Sequence, residues 1–183
     1  MMADWKTISS KIVLKNPWFR VRHDEVVRPN GTRGEYNVIE TAGPAVFVVP
    51  LTSQHETFLV QQMRYTTGKI SWEVPGGNAG DERPEEAAER ELQEETGIVA
   101  KKMTELGSAF PFNGLSSQKI ILFLAEELEE TSMHAKEEDG ITRVKKFPFT
   151  EVLQMIKNGE IVDSQSILVL LKAAFHLGYR LEK

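Results

Sequence analysis

Cysteine is absent from the 183 residues, so neither a disulfide framework nor a thiolate metal site can form. The four histidines, His23, His55, His134 and His176, show no metal-ligand spacing and read as structural or surface residues. Excess positive charge is lacking too. With 22 basic and 27 acidic side chains the net charge is -5, which argues against the broad basic footprint of a protein that grips long nucleic acid. No apolar run is long enough to span a bilayer, and the opening Met1-Met2-Ala3-Asp4-Trp5 lacks a basic region followed by an apolar stretch. These absences make a cytoplasmic location, without a membrane partner, the default expectation. There is no G-x-S-x-G elbow, no phosphate-binding P-loop, no internal repeat and no low-complexity segment. The 40% apolar content suffices for the core of a single enzyme-sized domain.

What is present is concentrated in residues 76–98, GGNAGDERPEEAAERELQEETGI. Pro84 followed by Glu85 and Glu86 reads as a helix start, with a pre-set backbone angle and acids at the positive end of the dipole, and Gly97 reads as its stop. At about 100° per residue, Glu86, Glu89 and Gln93 fall on one side, as a solvated face. Glu91, Glu94 and Glu95 fall on the other, among Ala87, Ala88 and Leu92. Carboxylates one turn apart repel unless something positive lies between them, and a hard divalent cation with oxygen ligands suits them best. Just upstream, residues 70–74 read as a short strand ended by Pro75, after which Gly76 and Gly77 let the backbone approach a ligand and offer a carbonyl to a metal shell.

The segment fills every fixed position of Gly-x5-Glu-x7-Arg-Glu-U-x-Glu-Glu-x-Gly-U, where U is apolar, through Gly76, Glu82, Arg90, Glu91, Leu92, Glu94, Glu95, Gly97 and Ile98. That is the Nudix box, and the chain resembles a Nudix hydrolase. The glycine loop is one residue shorter than the commonest family form, so Gly76 takes the box position, and Arg83 stands where a Ser, Thr or Asp cap is usual.

Around the box, residues 10–14, 19–28 and 35–41 read as an N-terminal antiparallel sheet turning at Asn30-Gly31. Residues 45–51, 57–63, 70–74, 119–125 and 142–147 read as further strands. Helices are expected at 150–157 and 163–177, the latter burying Leu168, Leu171 and Ala174. The resemblance implies the α/β/α Nudix sandwich, a mixed sheet between helices. Residues 1–43 would form a sheet extension for dimerisation and base binding, and residues 44–183 the hydrolase domain.

The opening Asn16-Pro17-Trp18-Phe19-Arg20-Val21 looks like the branch that acts on ADP-ribose and nucleoside diphosphate sugars, whose dimers share this sheet. In similar enzymes an aromatic here stacks on the base, which points to Trp18; packing within the hairpin is the plain alternative. Gln61-Gln62-Met63-Arg64 resembles a strand end whose arginine meets phosphate, so Arg64 and the strand residue Glu73 are the other candidate substrate contacts, with a surface salt bridge as the ordinary reading of Arg64. The resemblance implies Mg2+, with Mn2+ as the alternative ion, held by Glu91, Glu94, Glu95 and the carbonyl of Gly76. It implies a catalytic group of Glu138 or Glu137, from the acidic stretch 134–140, with Glu94 and an orienting Arg90. The proline that marks the ADP-ribose subgroup beyond the box is replaced by Asn113, with Pro111 nearby, which suits a broader sugar-nucleotide range. A non-catalytic ADP-ribose sensor is disfavoured by the intact acids, and an RNA 5′-end pyrophosphohydrolase by the acidic balance.

Overall fold

The computed structural model describes residues 4–131 and 140–180. The chain opens with β1 (Lys6–Lys15), β2 (Phe19–Val27) and β3 (Arg33–Thr41), an antiparallel sheet in that order. It continues through β4 (Ala45–Pro50), β5 (Glu56–Arg64), β6 (Lys69–Glu73), β7 (Gly76–Asn78), α1 (Pro84–Thr96), β8 (Ile98–Ala109), β9 (Ile120–Glu130), β10 (Ile141–Pro148), α2 (Phe149–Lys157) and α3 (Ser164–His176). A mixed sheet in the order β7-β4-β9-β8 has β4 and β9 parallel, and β10-β5-β6 form a third, antiparallel sheet.

Strands β4 and β9 show why helices must lie on both faces of the mixed sheet. Their side chains alternate, and both sets are apolar, so both faces need covering. Ala45 and Val49 of β4, with Ile120, Leu122 and Leu124 of β9, join a core with Val152 of α2 and Val169, Leu170 and Ala173 of α3. Val46 and Val48, with Ile121, Phe123 and Ala125, join a second core with Ala87, Ala88 and Leu92 of α1. Leu92 is fully buried, a contribution of about 1.5–3 kcal/mol from its side chain alone. This layering is the expected sandwich. Among the described residues no helix is long and apolar enough to cross a membrane.

Two strands have no counterpart in the sequence reading. β7 is three residues, Gly-Gly-Asn, whose only strand signature is its pairing with β4. β8 lacks a clean alternation because it edges the sheet, carries partly or fully exposed side chains after the buried Ile98 and contains a bulge between Glu105 and Gly107. β9 also outruns its apolar core segment, since Lys101 pairs with Glu129 and Lys102 with Glu126 across the ladder. The face of α3 is a correction: the fully covered residues are Ser166, Val169, Leu170, Ala173 and Ala174, while Leu168 and Leu171 are only partly buried. The core contact of α3 is centred about one residue from the stripe expected.

Candidate active site

Helix α1 is positioned at both ends by backbone chemistry. Pro84 opens it without help from Arg83, whose side chain makes no capping bond, and Gly97 closes it with φ 72° while its N–H returns to the Gln93 carbonyl at 2.9 Å. The small Ala87 and Ala88 are fully buried and seat the helix closely on β4 and β7. Glu86 and Glu89 face solvent as expected, whereas Glu95 is buried and Glu91 and Glu94 are partly covered.

The acids meet the glycine turn directly. Gly76 N–H donates to Glu95 Oε2 at 3.0 Å. The end of the Glu91 side chain lies against Gly77, where a Cβ would displace it, and a Cβ on Gly76 would run into the Val46 backbone carbonyl, which cannot yield, so glycine is required at Gly76. β7 is an edge strand; beside it the Pro75 carbonyl accepts from Val48 N–H of β4, and Ala79 N–H donates to the carbonyl of Pro44, the residue before β4. The alternation of an antiparallel ladder therefore turns the N–H and C=O of Gly76 away from β4.

Arg90 occupies the middle of the acid set. Its Nε lies 3.1 Å from Glu82 Oε2, and its Nη1 lies 2.9 Å from Glu91 Oε1 and 3.2 Å from Glu94 Oε2. Its Nη2 reaches the Asn78 carbonyl at 3.4 Å. Burial opposes the charge, yet hydrogen bonding by Glu82 and the field of Glu91 outweigh it and raise the guanidinium's pKa above its ordinary value. The positive group between the carboxylates is thus an arginine. Among the described residues no three His, Cys, Asp or Glu side chains converge as a ready-made metal cluster. The donor chemistry nonetheless fits a hard divalent ion: three carboxylates on one helix and an outward backbone carbonyl, with no sulfur or imidazole.

Arg64, at the end of β5, pairs with Glu73 at the end of β6. Its Nε lies 3.0 and 3.1 Å from the two Glu73 oxygens, and its Nη2 also donates to Oε2. Glu73 is buried, while nearly half of the Arg64 side-chain surface is open. Hydrogen bonding by Glu73 raises the Arg64 pKa against the opposing effect of burial. Both residues line a cleft of about 460 Å³ with Phe47, Thr67, Lys69, Phe112 and Asp163. Phe112 belongs to the stretch 109–115, whose sequence resembles a substrate loop, whereas the other four were not singled out as site residues.

Trp18 is 74% exposed and lines a different recess, with Asn16, Pro17, Phe19, Glu40 and Thr41. The structure therefore brings together Gly76, Arg90, Glu91, Glu94 and Glu95, and separately Arg64 with Glu73, but not Trp18 with either group. Glu137 and Glu138 lie outside the described residues.

Comparison with known proteins bears on what this geometry does. The model of the NUDIX domain matches residues 41–168, and that of the nucleoside diphosphate sugar hydrolase N-terminal domain matches residues 5–39. An ADP-ribose pyrophosphatase of Mycobacterium tuberculosis is 32% identical over 171 residues, covering 92% of this chain and 82% of that protein. An ADP-ribose pyrophosphatase of Bacillus subtilis is 28% identical over 163 residues, covering 88% of each. A GDP-mannose pyrophosphatase of Yersinia enterocolitica is 27% identical over 188 residues, covering 96% of this chain and 98% of that protein. In shape, the crystal structure of an ADP compounds hydrolase superposes with a TM-score of 0.85 at 20% identity, over 98% of this chain and 99% of that one.

Proposed function

The chain belongs to the Nudix family and carries the N-terminal domain of nucleoside diphosphate sugar hydrolases, and from that premise we propose that it is a Mg2+-dependent pyrophosphatase of nucleoside diphosphate sugars and ADP-ribose. It hydrolyses the diphosphate bond, releasing a nucleoside monophosphate and a sugar phosphate. The observation that carries this reading is the docking of the box acids on the glycine turn: Glu95 on the Gly76 N–H, Glu91 against Gly77. Relatives named for ADP-ribose and for GDP-mannose agree with a sugar-nucleotide range wider than one base.

Nudix hydrolases work with a divalent metal, and here Glu91, Glu94, Glu95 and the Gly76 carbonyl would hold it. When bound, such an ion acidifies water and neutralises phosphate oxygens. Arg64 contributes a fixed cation at the cleft. Its bonds to Glu73 use Nε and Nη2, which leaves the Nη1 side to meet a phosphate without leaving Glu73 unpaired. Glu73 thereby acts on the substrate through Arg64. Arg90 orients Glu91 and Glu94, and Glu138, or Glu137 beside it, takes the proton of the attacking water. Residues 44–183 carry this chemistry, while residues 1–43 join two copies and supply Trp18 to the base.

The test is coupled phosphate release from ADP-ribose, UDP-glucose, GDP-mannose, nucleoside triphosphates and 5′-triphosphate RNA, with Mg2+ or EDTA. Turnover of the sugar nucleotides is expected with Mg2+ only, falling at least about a thousandfold in Glu95→Gln, which loses a ligand and the anionic partner of Gly76. Turnover confined to the triphosphates, or ADP-ribose binding without any turnover, overturns the proposal.

A further inference from the structure

Four consecutive residues, Glu73 to Gly76, are each held by a different element. The Glu73 carboxylate takes Arg64 of β5, and the Val74 N–H donates to Ser166 Oγ of α3 at 3.0 Å. The Pro75 carbonyl accepts from Val48 N–H of β4 at 2.9 Å, and the Gly76 N–H donates to Glu95 of α1 at 3.0 Å. Three of these ties come from elements that pair beside the turn or carry the box. The second does not. Ser166 lies 92 residues further along the chain and is fully buried, and a hydroxyl inside a helix ordinarily bonds a carbonyl of its own helix. Here its oxygen is the acceptor for a backbone N–H of another element.

Ser166 is itself fixed. Asp163 caps α3, accepting from the Ser166 N–H at 2.7 Å. Between Val74 and Gly76 stands Pro75, whose ring restricts φ, so little slack separates the point that Ser166 holds from the carbonyl that Gly76 presents.

We propose that Ser166 is a positioning residue for the metal site, setting the direction of the Gly76 carbonyl by anchoring the backbone at Val74. This rests on the reading of that carbonyl as a metal ligand. Removing the hydroxyl leaves the Val74 N–H buried without an acceptor, and the turn must shift or loosen to recover one. The carbonyl moves with it, while helix α1, which carries the box acids, keeps its own packing on β4 and β7.

The test is Mn2+ binding to the full chain, titrated by electron paramagnetic resonance, for wild type, Ser166→Ala, Ser166→Cys and Val169→Ala. Val169 is fully buried on the same helix, away from the turn's hydrogen bonds, so its truncation reports what a loosened α3 alone does. Ser166→Ala is expected to weaken Mn2+ binding by about tenfold, the lower end of the range for groups that orient metal ligands. Ser166→Cys, which keeps the volume but is a poor acceptor, should weaken it in the same direction and carries the test where Ser166→Ala does not fold. Val169→Ala should lower the melting temperature and leave Mn2+ affinity unchanged. Unchanged affinity in the folded Ser166 variants, or an equal loss in Val169→Ala, overturns the proposal while leaving the metal site standing. A wild-type protein that binds no Mn2+ overturns both.

Discussion

At the residue scale, the group that decides how the site behaves is Arg90. Of the four acids Glu82, Glu91, Glu94 and Glu95, Arg90 is paired with the first three. A metal held by the box acids and Arg90 would therefore neutralise an overlapping set of oxygens. Removing Arg90 should weaken the metal-free protein more than the metal-loaded one, because in the loaded protein the ion would still neutralise part of the same carboxylate set. Partly exposed ion pairs of this kind contribute modestly, about 1 kcal/mol together after solvent screening. For a chain of this size that corresponds to a melting temperature lower by about 2–4 °C. Arg90→Gln is thus expected to melt early in EDTA and to regain more from saturating Mg2+ than the wild type does, by ligand linkage. Calorimetric scans with and without Mg2+ check this, and an equal Mg2+ increment in both proteins would count against it. The sequence places a positive charge between the carboxylates by electrostatic necessity, but one chain of letters does not distinguish a bound ion from an arginine one residue away.

At the element scale, legibility follows punctuation and faces. α1 was readable because Pro84 and Gly97 mark its ends and its acids sort by helical period; the site was readable where it sits on that helix. β4 and β9 were readable as unbroken apolar runs buried on both faces. β7 and β8 were not, since one has no side chains to pattern and the other is an edge strand with a bulge. Ser166 was invisible for a different reason: a single serine has no spacing, and its partner is a backbone N–H. The N-terminal sheet carries its own electrostatic support. Asp24 accepts from Arg22, at 2.9 and 3.0 Å from its Nε, and from Ser10 Oγ of β1 at 2.6 Å, so these two side chains cover it. Hydrogen bonding by Arg22 first, then by Ser10, lowers its pKa below the ordinary carboxylate value. A depressed folded value means that the unfolded sheet binds the proton more readily. The support is then complete above the ordinary value and is lost as the pH falls below about 4, through the depressed one. Asp24→Asn should speed amide hydrogen exchange in β1 and β2 at pH 7, and the gap to wild type should narrow as the pH falls through the depressed value. A gap that does not narrow there would show that the charge of Asp24 is not what holds the strands.

At the scale of the whole molecule, the N-terminal sheet is incomplete as it stands. All ten residues of β1 are exposed, among them Ile8, Ile12, Val13 and Leu14, and β1 forms an edge. A three-stranded sheet that leaves aliphatic side chains in water along an open edge calls for a covering surface. The second copy proposed above would supply it, and would also resolve the position of Trp18, which does not line the cleft of Arg64 and Glu73. If Trp18 serves the partner's cleft, then breaking the dimer and deleting the ring are the same lesion for base binding. Ile12→Asp, a charge on the exposed sheet, should convert a dimer to a monomer by light scattering. Trp18→Ala should remain a dimer and raise KM for a sugar nucleotide roughly five- to 150-fold, the worth of about 1–3 kcal/mol of stacking. Ile12→Asp should raise KM by a similar factor with kcat largely kept, since Glu91, Glu94 and Glu95 all lie on α1. The double variant should be no worse than either alone, because a ring that cannot reach the cleft has nothing left to lose. Additive losses would mean that Trp18 acts within its own chain, and a wild-type monomer would remove the second copy from the account altogether.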